Sequence, residues 1–129
     1  MHIHHTALIV SDYARSKRFY TEILGLQILA EHYRAARDSW KLDLGLNGQY
    51  VVELFSFPNP PPRPGSTDGT PEACGLRHLA FAVADIPGKR AELQARGVAC
   101  EAIRIDEYTG KPFFFIKDPD GLPLEFYQQ

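Results

Sequence analysis

Four side chains in this sequence are of a type and spacing that could share one piece of chemistry: His5, Glu53, His78 and Glu125. The two histidines are 73 residues apart and the two glutamates 72, so they form two copies of one His–Glu pair. Each member sits in a short run of otherwise apolar residues. Imidazole is a good ligand for Zn, Ni, Co and Fe, and carboxylate oxygens are compatible with all of them. A carboxylate buried without a partner is very costly, so a glutamate in an apolar strand demands compensation, which a divalent cation shared with the histidines would supply. Taken singly, each histidine also reads as a hydrogen-bonded core residue, and each glutamate as half of a salt bridge or as an exposed edge residue. The symmetric set of four is what points to a metal. His4 is expected on the face opposite His5 and has no counterpart in the repeat, because residue 77 is Arg. His2 and His32 read as surface residues.

The elements that must position these residues are repeated as well. Residues 5–13, His-Thr-Ala-Leu-Ile-Val-Ser-Asp-Tyr, match residues 78–86, His-Leu-Ala-Phe-Ala-Val-Ala-Asp-Ile, in His, Ala, Val and Asp. A helical stretch ending in Gly25 or Gly97 comes after each, and each half closes with a Gly turn leading into Glu53-Leu54-Phe55 or Glu125-Phe126-Tyr127. Each half therefore predicts a strand, a helix and three strands.

The first half predicts a strand over 4–10 and a helix capped at Ser11 or Asp12. Phe19, Tyr20, Ile23 and Leu24 of that helix should face the core. Strands near 26–33, 39–46 and 50–57 come next, the last two joined by an Asn47-Gly48 hairpin turn. The second half predicts a strand over 77–83, a helix over about 87–96 capped by Asp85, and strands near 98–104, 112–117 and 122–127. Strand alternation sets His5 with Ala7 and Ile9, Glu53 with Val51 and Phe55, His78 with Ala80 and Ala82, and Glu125 with Pro123 and Tyr127. All of these point away from the helices. The fold class is thus α+β, as two tandem βαβββ modules in one domain, 1–129. Module one covers about 1–57 and module two about 76–129. A linker over about 58–75 joins them, with five of the ten prolines in 58–64, where missing donors and fixed φ resist helix and sheet.

Bulk properties narrow the function. The 129 residues are 44% hydrophobic and 23% charged, enough for a real core, so a metal here would serve function rather than folding. The net charge is −2 and no basic stripe is visible, which argues against nucleic acid. No apolar run approaches a membrane span. The opening Met-His-Ile-His-His lacks a signal-peptide layout, and two cysteines, Cys74 and Cys100, are too few for a disulfide framework. These set the expectation of a cytoplasmic protein. The segment Tyr33-Arg34-Ala35-Ala36-Arg37-Asp38-Ser39-Trp40 mixes Arg with aromatics, as a carboxylate or phosphate pocket would; a solvated hairpin loop is the alternative. Arg34, Arg37 and Lys111 are the candidate substrate-binding cations, with Lys41 and Lys117 as further ones.

Together these residues resemble the vicinal oxygen chelate superfamily, of the glyoxalase I, bleomycin resistance and dioxygenase type. The resemblance covers essentially the whole chain. It is carried by His5-Thr6-Ala7-Leu8-Ile9-Val10, Arg18-Phe19-Tyr20 with Leu24-Gly25, Glu53-Leu54, His78-Leu79-Ala80-Phe81, Phe113-Phe114-Phe115, and Asp118-Pro119-Asp120-Gly121 with Glu125. It implies mixed sheets curled around one divalent metal held by His5, Glu53, His78 and Glu125, with Ni or Co favoured for so short a chain and Zn possible. It also implies that a metal-bound carboxylate moves the proton, Glu125 as first choice and Glu53 as second. The function it implies is a metal-dependent isomerase or lyase acting on a small α-oxo or α-hydroxy carbonyl compound. Ile9 and Phe57 stand where glutathione-dependent members often carry polar anchors, so that substrate is expected not to be linked to glutathione. The alternatives are a fosfomycin-type transferase, a ring-cleaving dioxygenase and a drug-sequestering module. The resemblance further implies a homodimer with sites between modules of different chains.

Overall fold

Short strands that alternate small and bulky residues start each half. In the first, β1 (Thr6–Val10) leads to α1 (Tyr13–Arg18), whose N-cap Asp12 accepts a hydrogen bond from the Arg15 amide at 3.0 Å. The computed structural model describes residues 1–64 and 73–129; part of the expected 58–75 linker lies outside them. The chain divides into two compact units, Met1–Pro62 and Arg63–Gln129.

The first unit continues with β2 (Gln27–Arg34), a 3-10 turn (Ala35–Arg37), β3 (Ser39–Leu46) and β4 (Gln49–Ser56). Its sheet has the order β1-β4-β3-β2, with β1 parallel to β4 and the other pairs antiparallel. Asn47 and Gly48 take φ of 51° and 76°, the two left-handed residues a tight hairpin turn requires. Leu8, Val10, Leu42, Leu44, Val52 and Leu54 form the buried face against Phe19, Tyr20 and Leu26. The expected helix is not α throughout: Phe19–Ile23 is π-helical, and the Leu24 amide reaches back five residues to the Phe19 carbonyl at 3.0 Å. The extra residue in that turn rotates the chain beyond it, so Ile23 and Leu24 are half-buried rather than core, and Leu26 is buried instead.

The second unit has β5 (Leu79–Val83), α2 (Ile86–Ala95), β6 (Arg104–Ile105), β7 (Pro112–Lys117) and β8 (Pro123–Gln128), in sheet order β5-β8-β7-β6 with β5 parallel to β8. Asp85 caps α2 by accepting from the Gly88 amide at 2.9 Å. The Asp118-Pro119-Asp120-Gly121 block is a turn, in which buried Asp118 accepts from the Asp120 and Leu122 amides at 2.9 and 2.8 Å. The strand expected over 98–104 shrinks to two residues. The Glu101 amide does pair with the Phe115 carbonyl, but the Glu101 carbonyl is taken by Arg90 Nε of α2 at 2.7 Å, so no ladder propagates. Both modules are therefore βαβββ, and the expected α+β class is the observed one.

Candidate metal centre

The register repeats with the sequence. Ala7 pairs with Glu53 across β1 and β4, and Ala80 pairs with Glu125 across β5 and β8. Each histidine stands two residues before its alanine, just ahead of the strand rather than inside it as expected. In the first module His5 Nε2 lies 2.9 Å from Glu53 Oε2; in the second, His78 Nε2 lies 3.3 Å from Glu125 Oε2. Alternation holds, since Leu8 and Val10 are buried while Ala7 and Ile9 on the His–Glu face are exposed.

The first pair is embedded in a polar network. Lys41 of β3 bridges Glu53 Oε1 at 2.8 Å and Asp43 at 2.5 Å, and the Tyr50 hydroxyl donates to Asp43 at 3.0 Å. Burial opposes the Lys41 charge, but its hydrogen bonds to Asp43 and Glu53 outweigh that and push its pKa up. Tyr50 is pushed up to about 12, by burial first and then by its bond to Asp43. The Tyr50 ring stacks on His5 with centroids 4.7 Å apart. His4, expected on the opposite face, instead brings its Nδ1 within 2.7 Å of His5 Nδ1, because residues 4 and 5 precede the strand and its alternation does not bind them. The 2.9 Å contact to Glu53 is a hydrogen bond when His5 carries its proton on Nε2 and accepts from His4 at Nδ1; the other tautomer, with the proton on Nδ1, frees Nε2 for a metal.

The second pair has apolar company. Phe115 is paired with Glu125, Phe113 with Tyr127, and the His78 and Phe115 rings meet edge to face at 5.3 Å. His78 Nδ1 is buried and has no hydrogen-bond partner among the described residues. Asp43 and Lys41 of module one correspond by register to Phe115 and Phe113 of module two, so the repeat holds at the His–Glu pair and is broken around it.

Two donors on one ion, each bonded at about 2.0–2.2 Å, lie about 3–3.5 Å apart at square or tetrahedral angles. The observed separations of 2.9 and 3.3 Å fit that spacing, as does the donor set. No group of three or more His, Cys, Asp or Glu able to hold a metal occurs among the described residues; each module offers two donors. The expected need for a cation beside Glu53 is met in part by Lys41, so in module one the case for a metal rests on geometry and repetition rather than on charge compensation.

The candidate substrate cations separate. The Arg34 guanidinium lies over the Phe55 ring at 4.6 Å and the Phe57 ring at 5.7 Å and donates to Ser39 Oγ at 2.7 Å; Arg37 lies over Phe57 at 5.2 Å. Phe55 is two residues from Glu53 on the same face, so Arg34 belongs to the same surface as the first pair. Lys111 is exposed in the loop between β6 and β7, and its ammonium meets no partner among the described residues. Asp43, Tyr50 and His4 carry no signal in the sequence that would mark them as neighbours of the site, and Lys41, expected as a further candidate substrate cation, is instead taken up by Asp43 and Glu53.

The comparisons with known proteins agree with this architecture. Residues 2–126 match the Glyoxalase/Bleomycin resistance protein/Dioxygenase superfamily, and the chain belongs to that superfamily. It is 61% identical over 127 residues to the uncharacterized protein YaeR of Escherichia coli (strain K12), covering 98% of this chain and 95% of that protein. It superposes on a glyoxalase family protein from Enterococcus faecalis with a TM-score of 0.88, 44% identity, and coverage of 98% of this chain and 96% of the other. Glyoxalase I of Saccharomyces cerevisiae (strain ATCC 204508 / S288c) is 29% identical over 143 residues, covering 95% of this chain and 43% of the yeast protein.

Proposed function

We propose that the protein is a metal-dependent lyase or isomerase of glyoxalase type, in which His5, Glu53, His78 and Glu125 together hold one divalent ion, Ni or Co in preference to Zn. The observation that carries this is the repetition of a His–Glu pair at one register position in both modules. The substrate is a small α-oxo or α-hydroxy carbonyl compound. A bound ion supplies Lewis-acid stabilisation of negative charge on substrate oxygen. Glu53 is held by Lys41 and His5 and serves to position. Glu125 has no Lys or Arg ion pair among the described residues and lies beside Phe115, so it is the carboxylate free to take a proton from the substrate carbon and return it to the neighbouring one. Ile9 and Phe57 replace the polar anchors expected for glutathione at those two positions, in keeping with a substrate not linked to it. No described helix is long and apolar enough to cross a membrane. Both cysteines are free thiols, which suits a reducing cytoplasm.

A sequestering module with no metal is the second reading, and the Lys41–Glu53 ion pair is what favours it, since it neutralises the buried carboxylate internally. Titration of chelator-treated protein with Ni, Co and Zn decides between them. Saturable binding of one ion per chain, lost in both His5→Ala and His78→Ala, supports the enzyme. Absence of binding in the parent protein overturns it and leaves the sequestering module.

A further inference from the structure

Arg34 has hydrogen-bonding capacity that its neighbours do not use up. A guanidinium carries five N–H donors in a fixed fork that matches carboxylate and phosphate oxygens. In this structure one donor is used, by Ser39 Oγ at 2.7 Å. The Nε–H is buried and donates to nothing among the described residues, an arrangement that is costly unless a partner arrives. No carboxylate pairs with Arg34 or Arg37 among the described residues. Asp38, next to Arg37 in sequence, accepts instead from the Tyr33 hydroxyl at 2.6 Å, and Glu31, three residues before Arg34, accepts from Lys17 and Tyr13. Both guanidiniums lie over the Phe57 ring, at 5.7 and 5.2 Å from its centroid. Phe55 and Phe57, stacked with centroids 6.1 Å apart, both lie against the Arg34 guanidinium, and its bond to Ser39 adds a second restraint on it.

The place of this fork defines a distance. Phe55 lies two residues beyond Glu53 on the open face of β4, a step of about 7 Å along a strand. We propose that Arg34, assisted by Arg37, binds a carboxylate or phosphate carried by the substrate, so that the substrate class is a short anionic hydroxy- or oxo-carbonyl compound. It spans from the Glu53 end of the face to the Phe55–Phe57 end. This rests on the reading of that face as the substrate side of the metal site.

The test uses the whole chain, treated with chelator, so that its outcome is independent of the metal. Inorganic phosphate and acetate are titrated separately at constant ionic strength and monitored by amide chemical shifts. Saturable binding of either one, with perturbations centred on residues 34–39 and 55–57, is expected. Arg34→Met, which keeps the apolar stem over the rings, weakens it at least tenfold, and Arg34→Lys restores only part because the fork is lost. Phosphate alone binding, or acetate alone, identifies the substrate's anion. Arg34→Met should leave Ni or Co affinity within twofold of the parent. Where the parent binds neither anion, or the Met variant binds as the parent does, the proposal fails whatever the metal titration shows. If anions bind through Arg34 but no metal binds, it is the lyase reading that falls and the receptor that stands. Arg37→Met gives a second, smaller loss and guards against a folding defect at residue 34.

Discussion

Lys41 and Asp43 flank Glu53, whereas Phe113 and Phe115 hold the equivalent positions beside Tyr127 and Glu125. The two glutamates therefore have different freedoms. Lys41→Met should leave Glu53 and Asp43, both largely withdrawn from solvent, without their shared cation. Breaking a fully buried pair costs about 3–5 kcal/mol and an exposed one about 0–1. Lys41 is 29% exposed and Glu53 8%, so an intermediate loss of about 1–3 kcal/mol is expected in metal-free protein. Saturating Ni or Co should then raise the melting temperature more in the variant than in the parent, since the ion takes over the role of the ammonium. Equal metal-free stability would mean that Lys41 does not hold Glu53. The complementary prediction concerns turnover. Glu125→Gln keeps an oxygen ligand but loses the proton acceptor, so kcat should fall about 10²–10⁴-fold at saturating metal. Glu53→Gln should act mainly by lowering metal affinity. Activity measured beside metal content separates the two, and the reverse pattern would reassign the base to Glu53.

At the scale of elements, α1 is tied to β2 by Glu31, which accepts from Lys17 at 2.6 and 2.9 Å and from the Tyr13 hydroxyl at 2.9 Å. The Lys17 hydrogen bond holds the Glu31 pKa below its ordinary value, with help from Tyr13 and against the effect of burial. A depressed folded-state pKa means stability that is complete above the ordinary carboxylate value, about 4.3, and is lost as pH falls below it. Glu31→Gln should flatten the acid limb of the stability curve in that window and leave the neutral region with a constant loss. Trp40, the single tryptophan, stacks on Tyr13 at 5.2 Å and reports the transition by fluorescence. An unchanged acid limb would show that the contact is not formed. Elements whose determinants are local were legible from sequence: the Asp12 and Asp85 caps, the Asn47-Gly48 turn, and the alternation of β1 and β5. The features that escaped depend on partners. The π-helical turn arises inside a helix whose periodicity looks ordinary. The loss of residues 98–103 from the sheet depends on Arg90 capturing a carbonyl eleven residues away. The polar network escaped for a similar reason. Counting back from the hairpin turn pairs Asp43 with Val52, but an irregularity between Leu44 and Gly45 shifts the register and puts Asp43 opposite Glu53. The four candidate ligands were legible because the repeat marks them twice, while the residues around them are where the two modules diverge.

For the whole molecule, one ion shared by two His–Glu pairs, as proposed, has a consequence for assembly. Ile9, on the His–Glu face of β1, is 61% exposed, and Ile28 and Leu29 at the edge strand β2 are 47% and 50% exposed. Apolar residues left open on a sheet face and its edge suit association with a second copy. A homodimer with two equivalent sites, each combining module one of one chain with module two of its partner, makes a prediction that a site within one chain does not. In His5→Ala the first module is defective in every chain, and in His78→Ala the second is. Alone, neither variant binds metal in a complete site under either arrangement. Mixed in equal amounts and allowed to exchange subunits, they behave differently. A mixed dimer joins the intact first module of the His78→Ala chain to the intact second module of the His5→Ala chain, giving one complete site and one doubly defective one. Random exchange makes half the dimers mixed, so about a quarter of the parent's metal-binding capacity should return. With sites confined to single chains, every site keeps one lesion and no capacity returns. Light scattering on the same samples fixes the mass. A monomer that still binds one ion would end the dimer proposal, and recovery near a quarter with a dimer mass would place the metal across the subunits.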